Sequence, residues 1–170
     1  HETAIAEYVV MAMLALHPTS DLMPESSLSA MLTWCIEEFG SETVLCAATR
    51  DGVDAPAAVH FLHENQSKQS PVCILGTTAA SAKLFDSIDR RRQPLRLPAG
   101  SRLMDTGGAK GQLIPLTPAE VVARAQSCLG IDPQLVINEY GMTEMCSQLY
   151  DATPLNSTIA AHHGYRLKLP

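Results

Sequence analysis

Aromatic residues are scarce in this chain: three Phe, one Trp and four Tyr make up 5% of its 170 residues. Leu, Val, Ile, Ala and Met must therefore do most of the packing, and a hydrophobic fraction of 46% suffices for one core of single-domain size. No CxxC pair occurs. Cys35, Cys46, Cys73, Cys128 and Cys146 are odd in number, widely spaced and mostly set in apolar runs. That pattern argues against a disulfide frame or a zinc site and reads as buried, reduced thiols of an intracellular protein. No apolar run approaches the ~20 residues that span a bilayer, and no signal-peptide pattern is found. The expectation is a cytoplasmic protein with no membrane span. Internal repeats and low-complexity tracts are also missing. A surplus of positive charge is lacking too: the net charge is −6 with a pI near 5.4, which argues against a general nucleic-acid binder.

The charge is unevenly spread. Seven of the twelve basic residues fall between Lys83 and Lys110, opposed only by Asp86, Asp89 and Asp105, so this stretch carries +4 and the remainder −10. Such a patch suits a phosphate-bearing ligand. The triplet Arg90–Arg92 equally suits the C-terminal end of a helix, where cations complement the dipole.

Apolar and polar segments alternate in a βα rhythm. Residues 3–16 (TAIAEYVVMAMLAL) read as an apolar helix closed by His17-Pro18, with Met11 and Met13, like Met31 further on, as core filler. Residues 27–39 read as a helix ended by Gly40, and 43–49 as a short buried strand. A helix over 54–65 starts at Asp54 with Pro56 in its first turn. PVCILGTT (71–78) is the clearest strand, followed by a helix from about 79 to 91. SRLMDTGG (101–108) reads as a strand running into a glycine turn. Thr117-Pro118-Ala119-Glu120 matches a capping box that opens a helix ended by Gly130. LVINEYG (135–141) is a further strand. Strands separated by such helices predict an α/β fold with a mostly parallel sheet and helices on both faces. Sheets of this kind bind ligands outside the carboxyl ends of their strands. GTT after VCIL, TGGAKG after SRLM and YGMTE after LVIN all fall there.

The turns carry the candidate chemistry. In TGGAKG (106–111) adjacent glycines allow close backbone approach, and Lys110 with free amides suits anionic groups. It is neither a Walker A loop nor a GxGxxG fingerprint. In YGMTE (140–144) Tyr140 offers a face for a nucleobase, Gly141 close approach, Thr143 a hydroxyl for a phosphoryl oxygen and Glu144 a hard ligand for Mg²⁺. The competing reading is a strand followed by a helix, with Thr143 as cap and Glu144 on the dipole. His60 and His63 stand at i, i+3 without a third ligand and read as a helix face, His162-His163 as loop. Ser26-Ser27 and Thr77-Thr78 read as caps. No GxSxG elbow supports a hydrolase.

GSRLMDTGGAKG, followed about thirty residues later by NEYGMTEMCSQLYD, resembles the acyl-protein synthetase (LuxE) family of the adenylate-forming superfamily. MPESSLSAMLTW and PVCILGTTAASAKLFD are similar to that family's preceding segments, so the resemblance covers nearly the whole chain. It implies ATP-dependent activation of a fatty or related carboxylic acid with Mg²⁺ as cofactor, and transfer of the acyl group to a thiol of a protein or CoA. Acyl-transfer partner subunits are implied as well. Position by position, it implies Gly107, Gly108 and Ala109 along the adenine, with Lys110 in the same nucleotide-binding turn. Tyr140 would stack on adenine, Thr143 contact the α-phosphate and Glu144 hold Mg²⁺. Gly141 and Met142 would border the carboxylate and acyl group, with Gly76 and Thr77 near the acyl pocket.

The chain departs from the family in lacking the Ser/Thr/Gly-rich phosphate loop, the ribose-binding Asp and the lysine-bearing C-terminal lid domain. The acyl-accepting cysteine of acyl-protein synthetases is far C-terminal, so none of the five cysteines here inherits its role. His1 and the terminal YRLKLP both read as cut ends, so residues 1–170 are expected to be part of an adenylation domain and to have little ligase activity in isolation. Two alternatives remain: a phenylacetate-type aryl- or acyl-CoA ligase, and a nucleotide-binding or docking module that does not catalyse.

Overall fold

Buried on every side, the pentapeptide Met11–Ala15 forms strand β1 inside a sheet. The computed structural model describes residues 10–49, 52–92, 94–107, 116–142, 147–151 and 168–169, with the backbone course alone from residue 140 onward. Strand β2 (Gly40–Cys46) lies on one side of β1 and β5 (Val72–Thr77) on the other, both parallel to it. Beyond β5 follow β6 (Arg102–Thr106) and β7 (Val136–Met142), also parallel. Then β8 (Ser147–Asp151) and β9 (Lys168–Leu169) close the sheet in antiparallel pairing. The order is β2-β1-β5-β6-β7-β8-β9. A two-stranded ribbon, β3 (Ala48–Thr49) with β4 (Gly52–Val53), leaves the main sheet just after β2.

The expected helix over 3–16 is thus corrected for its described part, which is a strand. Ala, Met and Leu are good helix formers. A parallel strand covered on both faces is also apolar throughout, so it shows no alternation to distinguish it. Its central place between β2 and β5 decides the matter.

Helices cover both faces, as the βα rhythm predicts. Helix α1 (Ser27–Phe39) is capped by the Ser26 hydroxyl, which accepts from the Ser29 amide, and packs Met31 and Leu32 onto Met11, Met13, Cys73 and Leu75. On the other face α2 (Ala55–Ser67), α3 (Thr78–Arg91) and α4 (Pro118–Arg124) enclose the larger core, with Leu62, Phe85, Ile88 and Val121 against Leu14, Ile74, Leu103 and Val136. Asp54 caps α2 through the Ala57 amide. The capping box of α4 is complete: Thr117 accepts from Glu120 N, and the Glu120 carboxylate accepts from Thr117 N. The last turn of α4 widens into a π-helical turn (Ala125–Leu129) and stops at Gly130, whose φ of 72° suits glycine. The guanidinium of Arg124 joins α4 to α3 by bonding Asp86 and Asp89 at 2.9 and 2.6 Å and lies 5.2 Å from the Phe85 ring centre. Burial opposes the charge of Arg124, yet the two carboxylates more than offset it and raise its pKa.

Candidate site at the carboxyl edge of the sheet

Because β5, β6 and β7 are parallel neighbours, their carboxyl ends meet along one edge. The register aligns Gly76 with Asp105 and Asp105 with Asn138, and one step further Thr77 with Thr106 and Thr106 with Glu139. The Gly107 amide then donates to the Glu139 carbonyl at 3.3 Å. Three strand segments far apart in sequence therefore lie side by side at this edge. Thr77 is the N-cap of α3 and accepts from the Ala80 amide. Gly107 is exposed, and among the described residues nothing lies within 4 Å of where a Cβ would stand. Open space of that kind over a backbone turn accommodates a flat ligand.

Gly76 is different. A Cβ there would stand 2.8 Å from the Leu16 Cβ, so its missing side chain is a packing requirement between β5 and β1. Tyr140, Gly141 and Met142 continue β7 and pair with Leu149, Gln148 and Ser147 of β8. Residues 147–151 are therefore a strand, and the competing expectation of a helix after YGM does not hold for them. Gly108, Ala109, Lys110, Thr143, Glu144, Cys146, His162 and His163 lie outside the described residues.

Directly beneath the turns lies a polar layer that pattern reading passed over. Asp105, Thr106 and Glu139 are buried at 2%, 3% and 5% exposure, at positions where central parallel strands ordinarily carry aliphatic side chains. The Asp105 carboxyl accepts from the Thr78 hydroxyl at 3.0 Å and from the Asn138 amide at 3.3 Å, and the same amide donates to the Asp105 carbonyl at 3.2 Å. The Thr106 hydroxyl has no hydrogen-bond partner among the described residues. Burying polar groups is costly unless they are bonded, which makes this group the candidate site. The signal was present in the sequence: MDT and INE each end an apolar strand with polar residues just before a glycine turn.

Other candidates resolve as structure. Arg90 and Arg91 occupy the last turn of α3 and Arg92 caps it at φ 52°. That end of α3 returns to the amino edge of the sheet, away from the turns. The dipole reading of the triplet fits this place and the phosphate reading does not. His60 is an exposed helix residue whose ring lies 3.8 Å from Glu64. A recess of about 420 Å³, lined in part by Pro98, Gly100, Gly130 and Leu135, precedes β6 and β7, so it opens on the amino edge, opposite the polar layer. We assign it no part in the site.

Burial pushes the Cys73 thiol up to about 12, Arg102 opposing and Cys35 adding to the shift. Burial also raises Cys35, and burial with the bond to Asp89 raises Cys128. A thiol held protonated is a poor nucleophile. Among the described residues no group of three or more His, Cys, Asp or Glu is placed to hold a metal ion, and no helix is long and apolar enough to cross a membrane. Comparison of the chain with protein-family models and with curated proteins returns no match.

Proposed function

We propose that this chain carries the nucleotide-facing edge of an enzyme that uses ATP to activate a fatty or related carboxylic acid as an acyl-adenylate and passes the acyl group to a thiol. The observation that carries the reading is the adjacency of the segments at Gly76-Thr77, Thr106-Gly107 and Glu139-Tyr140 on neighbouring parallel strands. Ligands of α/β sheets bind outside the carboxyl ends of the strands. The open space over Gly107 supports a role in receiving the adenine, a role that Gly108, Ala109 and Lys110 share in this reading. Tyr140, next to the Glu139 carbonyl that anchors Gly107, is the stacking residue of this reading. Thr143 meets the α-phosphate and Glu144 is the ligand for Mg²⁺. Magnesium, when bound, neutralises phosphate charge.

A carboxylate oxygen attacks the α-phosphorus and forms the new P–O bond, while the bond to the bridging oxygen breaks and pyrophosphate leaves. The protein contributes position and electrostatics to such a step. Gly141 and Met142 border the acyl end. Thr77 lies at the same edge, and Gly76 bears on the acyl pocket indirectly, by letting Leu16 close against β5.

Hydroxamate formation by the full-length protein, across a panel of carboxylic acids with ATP and hydroxylamine, tests the proposal. Product with fatty acids and an acyl-protein thioester support it. Acyl transfer to CoA from an aryl acid points to the phenylacetate-type ligase. ATP binding without hydroxamate from any acid leaves a binding module and overturns the enzyme reading.

A further inference from the structure

Adenylation requires two substrates, held by different elements, to meet within about 3–3.5 Å and in line. In the reading above, the acyl side rests on Thr77 at the end of β5 and on Gly141 and Met142 of β7, and the nucleotide side on Gly107 after β6 and Tyr140 of β7. One carboxyl group in β6 bonds both α3, next to Thr77, and β7. Asp105, in β6 two residues before Gly107, accepts from Thr78 in the first turn of α3 and from Asn138 in β7, two residues before Tyr140. Its backbone carbonyl takes a second bond from Asn138. Asp105 is 2% exposed and Thr78 6%.

We propose that Asp105 is a positioning residue that sets the acyl side of the site against the nucleotide side, with Thr78 as its link to α3. The proposal rests on the adenylation reading. Stability alone gives little reason for a carboxyl here, since a well-packed apolar residue often serves a buried position as well or better. A bonded polar network instead imposes one orientation on the groups it joins. The strand ladder aligns β5, β6 and β7 as far as Thr77. The bond from Thr78 to Asp105 adds a side-chain tie at the first residue of α3 and fixes how the helix leaves the strand.

The test uses carboxylate-dependent exchange of pyrophosphate into ATP by the full-length protein, with Thr78→Val and Thr78→Ser. Valine keeps the shape of threonine and lacks the hydroxyl donor, and Thr77, which caps α3, is untouched in both variants. Thr78→Val should lower kcat about ten-fold or more, the effect of leaving one buried acceptor without its donor. The KM values for ATP and for the carboxylate should stay within about three-fold, because each side still binds its own substrate. Thr78→Ser should keep kcat within about three-fold of wild type. Unchanged kcat in Thr78→Val, an equal loss in Thr78→Ser, or a change confined to one KM overturns the positioning role while the adenylation reading stands. A wild-type protein without exchange for any acid overturns that reading, and this inference with it.

Discussion

Two glycines on the same sheet edge should respond in opposite ways to one added methyl group. In Gly76→Ala the new Cβ would stand 2.8 Å from the Leu16 Cβ, with the Leu16 Cδ1 and Cγ at 3.4 and 3.5 Å. Ordinary carbon contacts begin near 3.5 Å, so the strands must separate by several tenths of an ångström. Neither strand can yield easily: β1 is flanked by β2 and β5, and β5 by β1 and β6. Leu16 is 2% exposed and its amide is bonded to the Leu75 carbonyl at 2.8 Å, which holds its stem in place. Overpacking of this kind costs about 1–3 kcal/mol, and alanine recovers about 0.4–1 kcal/mol by restricting the unfolded chain. The net loss should be about 1–2 kcal/mol, or a fall in Tm of about 2–8 °C for a chain of this size. Gly107→Ala meets no atom of the described residues within 4 Å and should change stability by less than about 0.5 kcal/mol. Its methyl group would project into the space assigned to adenine, so the KM for ATP should rise instead. Urea unfolding followed by circular dichroism, with ATP-dependent hydroxamate formation alongside, measures both effects. A Gly76→Ala variant as stable as wild type would refute the packing argument, and a destabilised Gly107→Ala would refute the claim of open space.

Three further outcomes are expected. Glu144→Gln should depress adenylation by at least about ten-fold, the loss of one transition-state electrostatic contact, without altering the circular dichroism spectrum; full activity would remove Glu144 from the magnesium site. The Glu120 pKa is lowered because the amide and the hydroxyl of Thr117 donate to the ionised carboxylate. Its contribution is therefore complete above the ordinary carboxylate range and is lost as pH falls through the lowered native value. Glu120→Ala should reduce Tm at neutral pH, with the gap from wild type narrowing in acid; a gap independent of pH contradicts the assignment. With its thiol pushed up to about 12 and buried in the sheet, Cys73 should escape iodoacetamide at pH 8 in the native protein and react once the protein is unfolded. Peptide mass spectrometry checks this, and rapid native labelling of Cys73 would contradict its burial.

How far the fold was legible depended on whether local chemistry carried the information. Asp54, Thr77 and Thr117 announced helix starts because capping is a bond between a side chain and an amide two or three residues away. Gly130 announced an end because the left-handed turn there suits glycine. Met11–Ala15 did not announce itself. Whether that pentapeptide coils or extends depends on β2 and β5, which come from elsewhere in the chain, so its identity is a tertiary fact. The strand character of 147–151 is likewise set by pairing with β7.

The candidate site divides along the same line. Its turns were visible, since glycines after apolar runs are local signals, and so was their sharing of one edge, which follows from parallel pairing. What pattern reading missed was the support under them. Asp105 and Asn138 stand 33 residues apart and look like ordinary polar ends of strands until the β6–β7 register puts them opposite each other. The same register separates two roles that had been grouped. Gly107 was read as a place of close ligand approach and Gly76 as near the acyl pocket, yet Leu16 fills the space beside Gly76 while Gly107 faces open space among the described residues. A glycine at a strand end thus has two meanings that sequence cannot distinguish, because the difference lies in the neighbouring strand. In the proposed reading, Gly76 therefore leaves the ligand-facing set and serves packing, while Thr77, Gly107 and the β7 segment from Tyr140 stay in it, with the Asp105–Asn138 bonds just before them in β6 and β7.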